Sequence, residues 1–318
     1  MADRSLIVVA LGGNAISRPD EEGNVDQQFV NSRITARALA DLIDAGHQLV
    51  ITHGNGPQIG NFLLRNEAAA ELIYPLPMEV AVAHVQGGMG YMIAQTLMNE
   101  LRSRGNDRLV TTVVTTVLVD LADPAFRDPT KPIGRVLNKD DADRLVREEG
   151  WTVKEVAPEK YRRVVPSPLP QRIMEIDIIR RAVAADELLV VCGGGGVPVV
   201  RDPQTGLRGI AAVIDKDLAS ALLASELRAD AMMILTNIDR VSINFGKPNQ
   251  RAIERMTLEE ARRFLDEGQF PPGSMGPKIQ SAINFLSAAA DGARVIIGPL
   301  DRATEAVAGR VGTCITKA

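Results

Sequence analysis

The sequence predicts an α/β fold built on a mainly parallel sheet, and three observations lead there. Short runs that are apolar throughout recur along the chain, each ends in a turn bearing glycine or asparagine, and helix-length amphipathic stretches lie between them. Strands covered on both faces by crossover helices carry this pattern, whereas half-solvated antiparallel strands alternate apolar and polar residues. Leu6–Leu11 opens the series and runs into Gly12-Gly13-Asn14. Residues 49–52 end in His53-Gly54-Asn55-Gly56, residues 188–192 in Gly193–Gly196, and residues 231–236 in Asn237. Residues 31–45 have the spacing of a crossover helix.

Length and charge narrow the function. The 318 residues suffice for one large domain or two lobes. The 36 Lys+Arg stand against 40 Asp+Glu, so 36 − 40 = −4, without the clustered positive excess that nucleic acid requires. With 45% hydrophobic and 24% charged residues the composition is globular. Cys192 and Cys314 make no disulfide framework, and no CxxC or His/Cys cluster suggests zinc. The first residues carry an acid and lack the apolar core of a secretory signal, and the longest apolar stretch, 188–200, is interrupted by four glycines and Pro198. The expectation is a soluble, cytoplasmic protein with neither nucleic acid nor membrane as partner.

Residues 123–170 differ from their surroundings. Three prolines fall within 123–132 and three more within 164–170, with a charged helical stretch at 139–150 and the only tryptophan, Trp151, between them. Such stretches make poor interior elements of a parallel sheet, which predicts an inserted, protruding subdomain.

Ligands of open α/β sheets gather beyond the carboxyl ends of the strands, where these turns fall. Helix N-termini there offer free N–H groups and a positive dipole end to an anion. One such turn is as readily a tight bend and nothing more; several in one chain point to an anion or phosphate site. The common nucleotide motifs are missing: there is no GxxxxGK[ST], and Pro198 stands where GxGxxG needs glycine. No GxSxG occurs, and His53 and His84 have no nucleophile beside them, which favours a structural role for His53.

Lysines in loops remain. Lys131 lies in Thr-Lys-Pro-Ile-Gly, Lys216 between Asp215 and Asp217, and Lys278 behind Gly276-Pro277. Phosphoryl transfer needs positive charge around the moving group and in-line placement, with little covalent work. Lysines supply that charge while turn amides hold the remaining oxygens. Asp215 and Asp217 can direct Lys216, and Asp215 is also a candidate to hold Mg²⁺ through water. For any one lysine, a solvated surface charge is the competing explanation.

Taken in order, six segments resemble the carbamate kinases of the amino acid kinase family. They are Val9-Ala-Leu-Gly-Gly-Asn-Ala, Thr52-His-Gly-Asn-Gly-Pro-Gln, Val191-Cys-Gly-Gly-Gly-Gly-Val-Pro-Val, Ala212-Val-Ile-Asp-Lys-Asp-Leu-Ala-Ser, Asn244-Phe-Gly-Lys-Pro-Asn-Gln and Gly273-Ser-Met-Gly-Pro-Lys. The resemblance implies an open αβα sandwich in two lobes: residues 1–220, with an insert at about 123–170, for the phosphoryl acceptor, and residues 221–318 for ATP or ADP. It implies reversible transfer between MgATP and carbamate to give MgADP and carbamoyl phosphate, run toward ATP in arginine breakdown. Lys131, Lys216, Asp217 and Lys278 take the catalytic positions. Thr236, Asn237, Asp239, Lys247, Met275 and Gly276 match the nucleotide side, and Gly12, Gly13, Asn14, Gly54, Asn55, Gly56, Gly194 and Gly195 the acceptor side.

Relatives outside this branch carry a lysine where this chain has Ala10, and the resemblance gives that charge role to Lys131 on its insert. Converging lysines are expected to repel one another until an anion arrives, with the insert closing as it does. After Thr-Lys-Pro-Ile-Gly the chain departs from the usual Pro-Phe-Tyr and reads Arg135-Val136-Leu137-Asn138; Arg135 is either a second cation near the anion or a solvated side chain. The family also implies a homodimer joined through the N-terminal lobe. Met78, Met89, Met92 and Met98 mark residues 76–98 as an interface helix or, equally well, a core helix. The remaining alternatives are a same-fold kinase of a larger carboxylate such as N-acetylglutamate, and a nucleotide sensor without turnover.

Overall fold

The computed structural model describes residues 4–18, 21–271 and 273–318, apart from the side chain of Asn14. Among them, eight strands form one sheet. Their order is Arg255–Thr257, Thr313–Thr316, Arg294–Pro299, Ala231–Thr236, Leu6–Leu11, Gln48–His53, Leu188–Val190, Val110–Thr112. Every neighbouring pair is parallel except Arg294–Pro299 with Thr313–Thr316. The longer helices along the chain are α1 (Val25–Asp44), α2 (Gly56–Ala68), α3 (Met78–Ser103), α4 (Lys139–Glu149), α5 (Ile176–Ala184), α6 (Lys216–Leu227), α7 (Leu258–Asp266) and α8 (Met275–Ala288).

The first strand shows why the fold has three layers. A strand sends alternate side chains to opposite faces. Ile7, Val9 and Leu11 pack with Leu39 of α1 and with Ile93 and Leu97 of α3. Val8 and Ala10 pack on the other side with Leu223 of α6 and Phe285 of α8. All of these are buried, and each large apolar side chain so buried stabilises the fold by about 1.5–3 kcal/mol. The result is the α/β fold that the apolar runs predict, in the form of the open αβα sandwich that the resemblance implies.

One helix differs from the sequence expectation in detail, and another follows one of its two alternatives. α1 begins at Val25 rather than near residue 31, because Asn24 and Gln27 form a reciprocal capping box. On α3, Met78, Met89 and Met92 lie in the core and Met98 packs against it, so core packing accounts for the methionine stripe.

The insert has its own sheet. Lys131–Leu137, Lys160–Val165 and Val153–Ala157 pair antiparallel in that order. α4 covers them through Leu137, Ala142 and Leu145, with Trp151, Val153 and Tyr161 around this small core. Lys131 stands at the root of the insert, opposite Val165. The next carbonyl, Pro166, accepts the N–H of Val213 at 3.0 Å, which ties the root to the segment leading into α6. On the other side α2 meets the insert where Gly60 faces Gly134: a Cβ on Gly60 would stand 3.3 Å from the Gly134 Cα. Gly134 itself has φ +67°, a conformation costly for other residues, and its carbonyl accepts Arg162 Nη2 at 2.8 Å.

This contact predicts the effect of bulk at residue 60. In Gly60→Val the insert is displaced from α2, the emission of the single Trp151 changes, and proteolysis within 131–165 accelerates. An unchanged emission spectrum together with unchanged proteolysis contradicts it.

Candidate active site

The four apolar runs singled out in the sequence are four adjacent strands. Ala231–Thr236, Leu6–Leu11, Gln48–His53 and Leu188–Val190 lie side by side in the sheet, so their turns share one edge. These turns are stitched to neighbouring strands: the N–H of Gly12 donates to the Leu235 carbonyl and that of Gly54 to the Leu11 carbonyl, both at 3.0 Å. Glycine is required where the turns crowd. A Cβ on Gly54 would lie 3.2 Å from Cδ of Lys216, and one on Gly194, at φ +64°, would overlap the Asn55 amide at 2.1 Å.

A cleft of about 860 Å³ opens over this edge. Gly12, Gly13, Gly54, Asn55, Gly56 and Gly194 line it from the turns. Lys131 reaches it from the root of the insert, Asp215, Lys216 and Asp217 from the start of α6, Lys278 from the first turn of α8, and Thr236, Asn237 and Asp239 from the end of the Ala231–Thr236 strand.

The charged groups form one connected set. Asp215 caps α6 by accepting the N–H of Asp217 on Oδ1 at 2.9 Å. Its Oδ2 accepts Lys131 Nζ at 2.8 Å. Asp217 accepts Lys216 Nζ on Oδ1 at 2.7 Å and Lys278 Nζ on Oδ2 at 2.8 Å. Burial opposes the charge on Asp217, but Lys216 and Lys278 outweigh it and hold its carboxyl well below the usual carboxylate range. Burial, assisted by Lys278, lowers the pKa of Lys216 against the pull of Asp217. The lysines repel as expected, Lys278 lowering the pKa of Lys216, but each ammonium also has a carboxylate, and the five groups sum to +3 − 2 = +1. That remainder favours an anion without leaving bare cations side by side.

Other residues named from the sequence stand apart from the cleft. Lys247 is exposed on the 244–250 turn. Met275 packs against the core beneath α8, Gly276 is buried with its N–H on the Pro271 carbonyl at 2.9 Å, and Gly195 abuts the Ile214 carbonyl. Arg135 is 3.9 Å from Asp141 within the insert and half exposed, a solvated arginine rather than a cleft cation. Asn14 lies in the first turn, its side chain outside the described residues.

His53 is buried beneath the turns, its Nδ1 3.2 Å from the Gly54 carbonyl. A Cβ on Gly193 would come within 2.3 Å of its Nε2, so the ring is a spacer between two turns. Three further polar residues line the cleft that sequence reasoning passed over: Arg18, Ser274 and Asp301. Ser274 lies inside a quoted motif, whereas Asp301 follows the strand next to Ala231–Thr236 and is placed only by the strand order.

The sequence profile of the amino acid kinase family matches residues 5–298, and the chain belongs to that family. It is similar to a carbamate kinase of Thermococcus kodakarensis, 46% identical over 314 residues, which span 98% of this chain and 99% of the relative. A carbamate kinase of Clostridium perfringens is 44% identical over 98% of this chain and 99% of its own. Among solved structures, carbamate kinase from Giardia lamblia bound to AMP-PNP superposes with a TM-score of 0.92 at 39% identity, over the whole of both chains.

His53 gives this site a pH signature. Burial pushes its pKa down from 6.5 to about 4, so the folded ring stays neutral where the unfolded one takes a proton. The unfolded chain therefore binds more protons between those values, and stability falls as pH drops from 6.5 toward 4, by about 3 kcal/mol for this group. Urea unfolding at a series of pH values is expected to show a steeper loss in wild type than in His53→Asn. Equal slopes contradict the assignment.

Proposed function

We propose that this protein is a carbamate kinase that transfers a phosphoryl group reversibly between MgATP and carbamate. The observation that carries the reading is the linked set of Lys131, Lys216 and Lys278 on Asp215 and Asp217, facing a row of glycine turns in one cleft. Carbamate offers little surface to bury, so its recognition comes from charge and hydrogen bonds. A cleft of about 860 Å³ has room for a nucleotide beside so small an anion.

In the ATP-forming direction the phosphorus of carbamoyl phosphate is attacked by a β-phosphate oxygen of ADP. The P–O bond to the carbamoyl group breaks and its electron pair leaves with carbamate. Gly12, Gly13, Gly54, Asn55, Gly56 and Gly194 border the acceptor, the N–H groups of Gly12 and Gly54 being engaged by the Leu235 and Leu11 carbonyls. Thr236, Asn237 and Asp239 border the nucleotide, whereas Lys247, Met275 and Gly276 stand back from the cleft. Lys131, Lys216 and Lys278 offset the charge that spreads over the moving phosphoryl, and Asp217 fixes two of these ammoniums.

Mg²⁺ supplies charge neutralisation between the nucleotide phosphates when bound. Among the described residues no group of three or more His, Cys, Asp or Glu is placed to hold a metal, and Asp215 and Asp217 are engaged with lysines. An ion carried by the nucleotide belongs to the same reading, with Asp215 a candidate for a water-mediated contact.

The assignment of the acceptor to residues 1–220 and the nucleotide to 221–318 belongs to the same reading, as do a homodimer and a cytoplasmic setting. Exposed Val30 on α1 and Tyr91 on α3 support an assembly surface on the N-terminal lobe. Among the described residues no helix is long and apolar enough to cross a membrane.

Coupled ATP formation from ADP and carbamoyl phosphate tests the proposal, beside acetyl phosphate and an N-acetylglutamate control. Wild type is expected to form ATP most efficiently with carbamoyl phosphate. Lys131→Ala is expected to lose on the order of 100-fold or more in kcat with ADP binding retained. Binding of ADP without any ATP formed overturns the reading in favour of a sensor, and near-normal turnover of Lys131→Ala overturns the role of that lysine.

A further inference from the structure

We propose that Asp215 is a positioning residue dedicated to Lys131, which it holds over the cleft as Asp217 holds Lys216 and Lys278. The inference rests on the phosphoryl-transfer reading of the cleft and adds a second organising carboxylate to it.

The three lysines are not equally confined. Lys216 and Lys278 have side chains 13% and 15% exposed, whereas Lys131 is 35% exposed. A lysine ammonium on a flexible four-carbon stem takes its place from its partners. Asp217 contacts Lys216 and Lys278 only through its two oxygens, and Lys131 bonds to Asp215 instead. Among the described residues, no other ion pair joins residues 131–165 to the chain outside 123–170.

Asp215 is itself held in place. Its Oδ1 accepts the Asp217 N–H, which orients the carboxylate on the end of α6. Two residues earlier, Val213 N–H bonds to the Pro166 carbonyl, and Pro166 follows the residue that pairs with Lys131. Lys131, Val165, Pro166, Val213 and Asp215 thus close a circuit, with the ion pair as its final link. The circuit sets the distance between the root of the insert and α6, and with it the reach of the Lys131 ammonium. Because the same carboxylate caps the helix carrying Lys216 and Asp217, it fixes all three cations relative to one another.

Asp215→Asn separates this role from folding and from metal binding. Asparagine caps a helix as well as aspartate, so α6 is retained, but the charge that holds Lys131 is lost; Asp215→Ser, another good cap, serves as the second variant. Both are expected to lower kcat for ATP synthesis on the order of tenfold, with KM for ADP unchanged. Introduced into Lys131→Ala, the same substitutions are expected to cost less than about twofold further, because partners acting through one contact are not additive. A second readout needs no turnover: labelling of individual lysines by an amine-reactive reagent, followed by peptide mass spectrometry. Lys131 is expected to react several-fold faster in both variants, with Lys278 unchanged and Lys216, on which Asp215 acts only without a direct bond, changed less. The inference is overturned by unaltered Lys131 reactivity, by an undiminished cost in the Lys131→Ala background, or by a raised Mg²⁺ requirement as the only change. Should wild type form no ATP, the function proposal fails, and the labelling result alone still decides whether Asp215 positions Lys131.

Discussion

Two carboxylates at the start of α6 hold three ammonium groups drawn from residues 131, 216 and 278. Unit charges of like sign about 4 Å apart cost roughly 4 kcal/mol at an effective dielectric of 20, so lysines brought together without acids would push the surrounding elements apart. Asp217, bonded to both Lys216 and Lys278, sets two attractions against their mutual repulsion. The net single positive charge is then a property of the cluster, available to an anion without any one lysine being stripped of its partner. Strand order, turn chemistry and the place of the insert all serve to bring these five side chains to one point.

The sheet supplies the rigid part of that arrangement. Four parallel neighbours end together, so their turns open toward a common space. The spacing of those turns is set by glycine backbone lying against side chains with no room for a Cβ, at Gly194 against the Asn55 amide and at Gly193 against the His53 ring. Polar backbone close to the ligand and apolar strand beneath it are consequences of the same chain reversal.

Much of this was legible in the chain. Leu6–Leu11 and Ala231–Thr236 were read to the residue, because strands apolar on both faces leave an unbroken signal. The run at 188–192 stops earlier, at Val190, since Cys192 turns into the left-handed region at φ +50° ahead of the glycines. The start of α1 was missed because its first turn, Val25-Asp26-Gln27-Gln28, is polar and only the Asn24–Gln27 cap announces it. At the site, the lysines stood out by their flanking residues, but which acid meets which lysine depends on contacts between residues 84 and 61 positions apart. No local pattern carries that information. Asp301 and Arg18 escaped for the same reason, being placed in the cleft by neighbours in space alone.

The position of Lys131 at the root of the insert divides the molecule into segments with unequal freedom to drift. Inserting one residue between Lys216 and Asp217, at the start of α6, would shift Asp217 by about 100° around the helix axis relative to the lysine before it and scatter the cluster. Gaining or losing residues in the outer hairpin beyond Leu137 would leave the lysine where it is. The unusual Arg135-Val136-Leu137-Asn138 passage lies outward of Lys131, where its strand ends and α4 begins, and novelty there alters what the protruding surface meets more than it alters the chemistry.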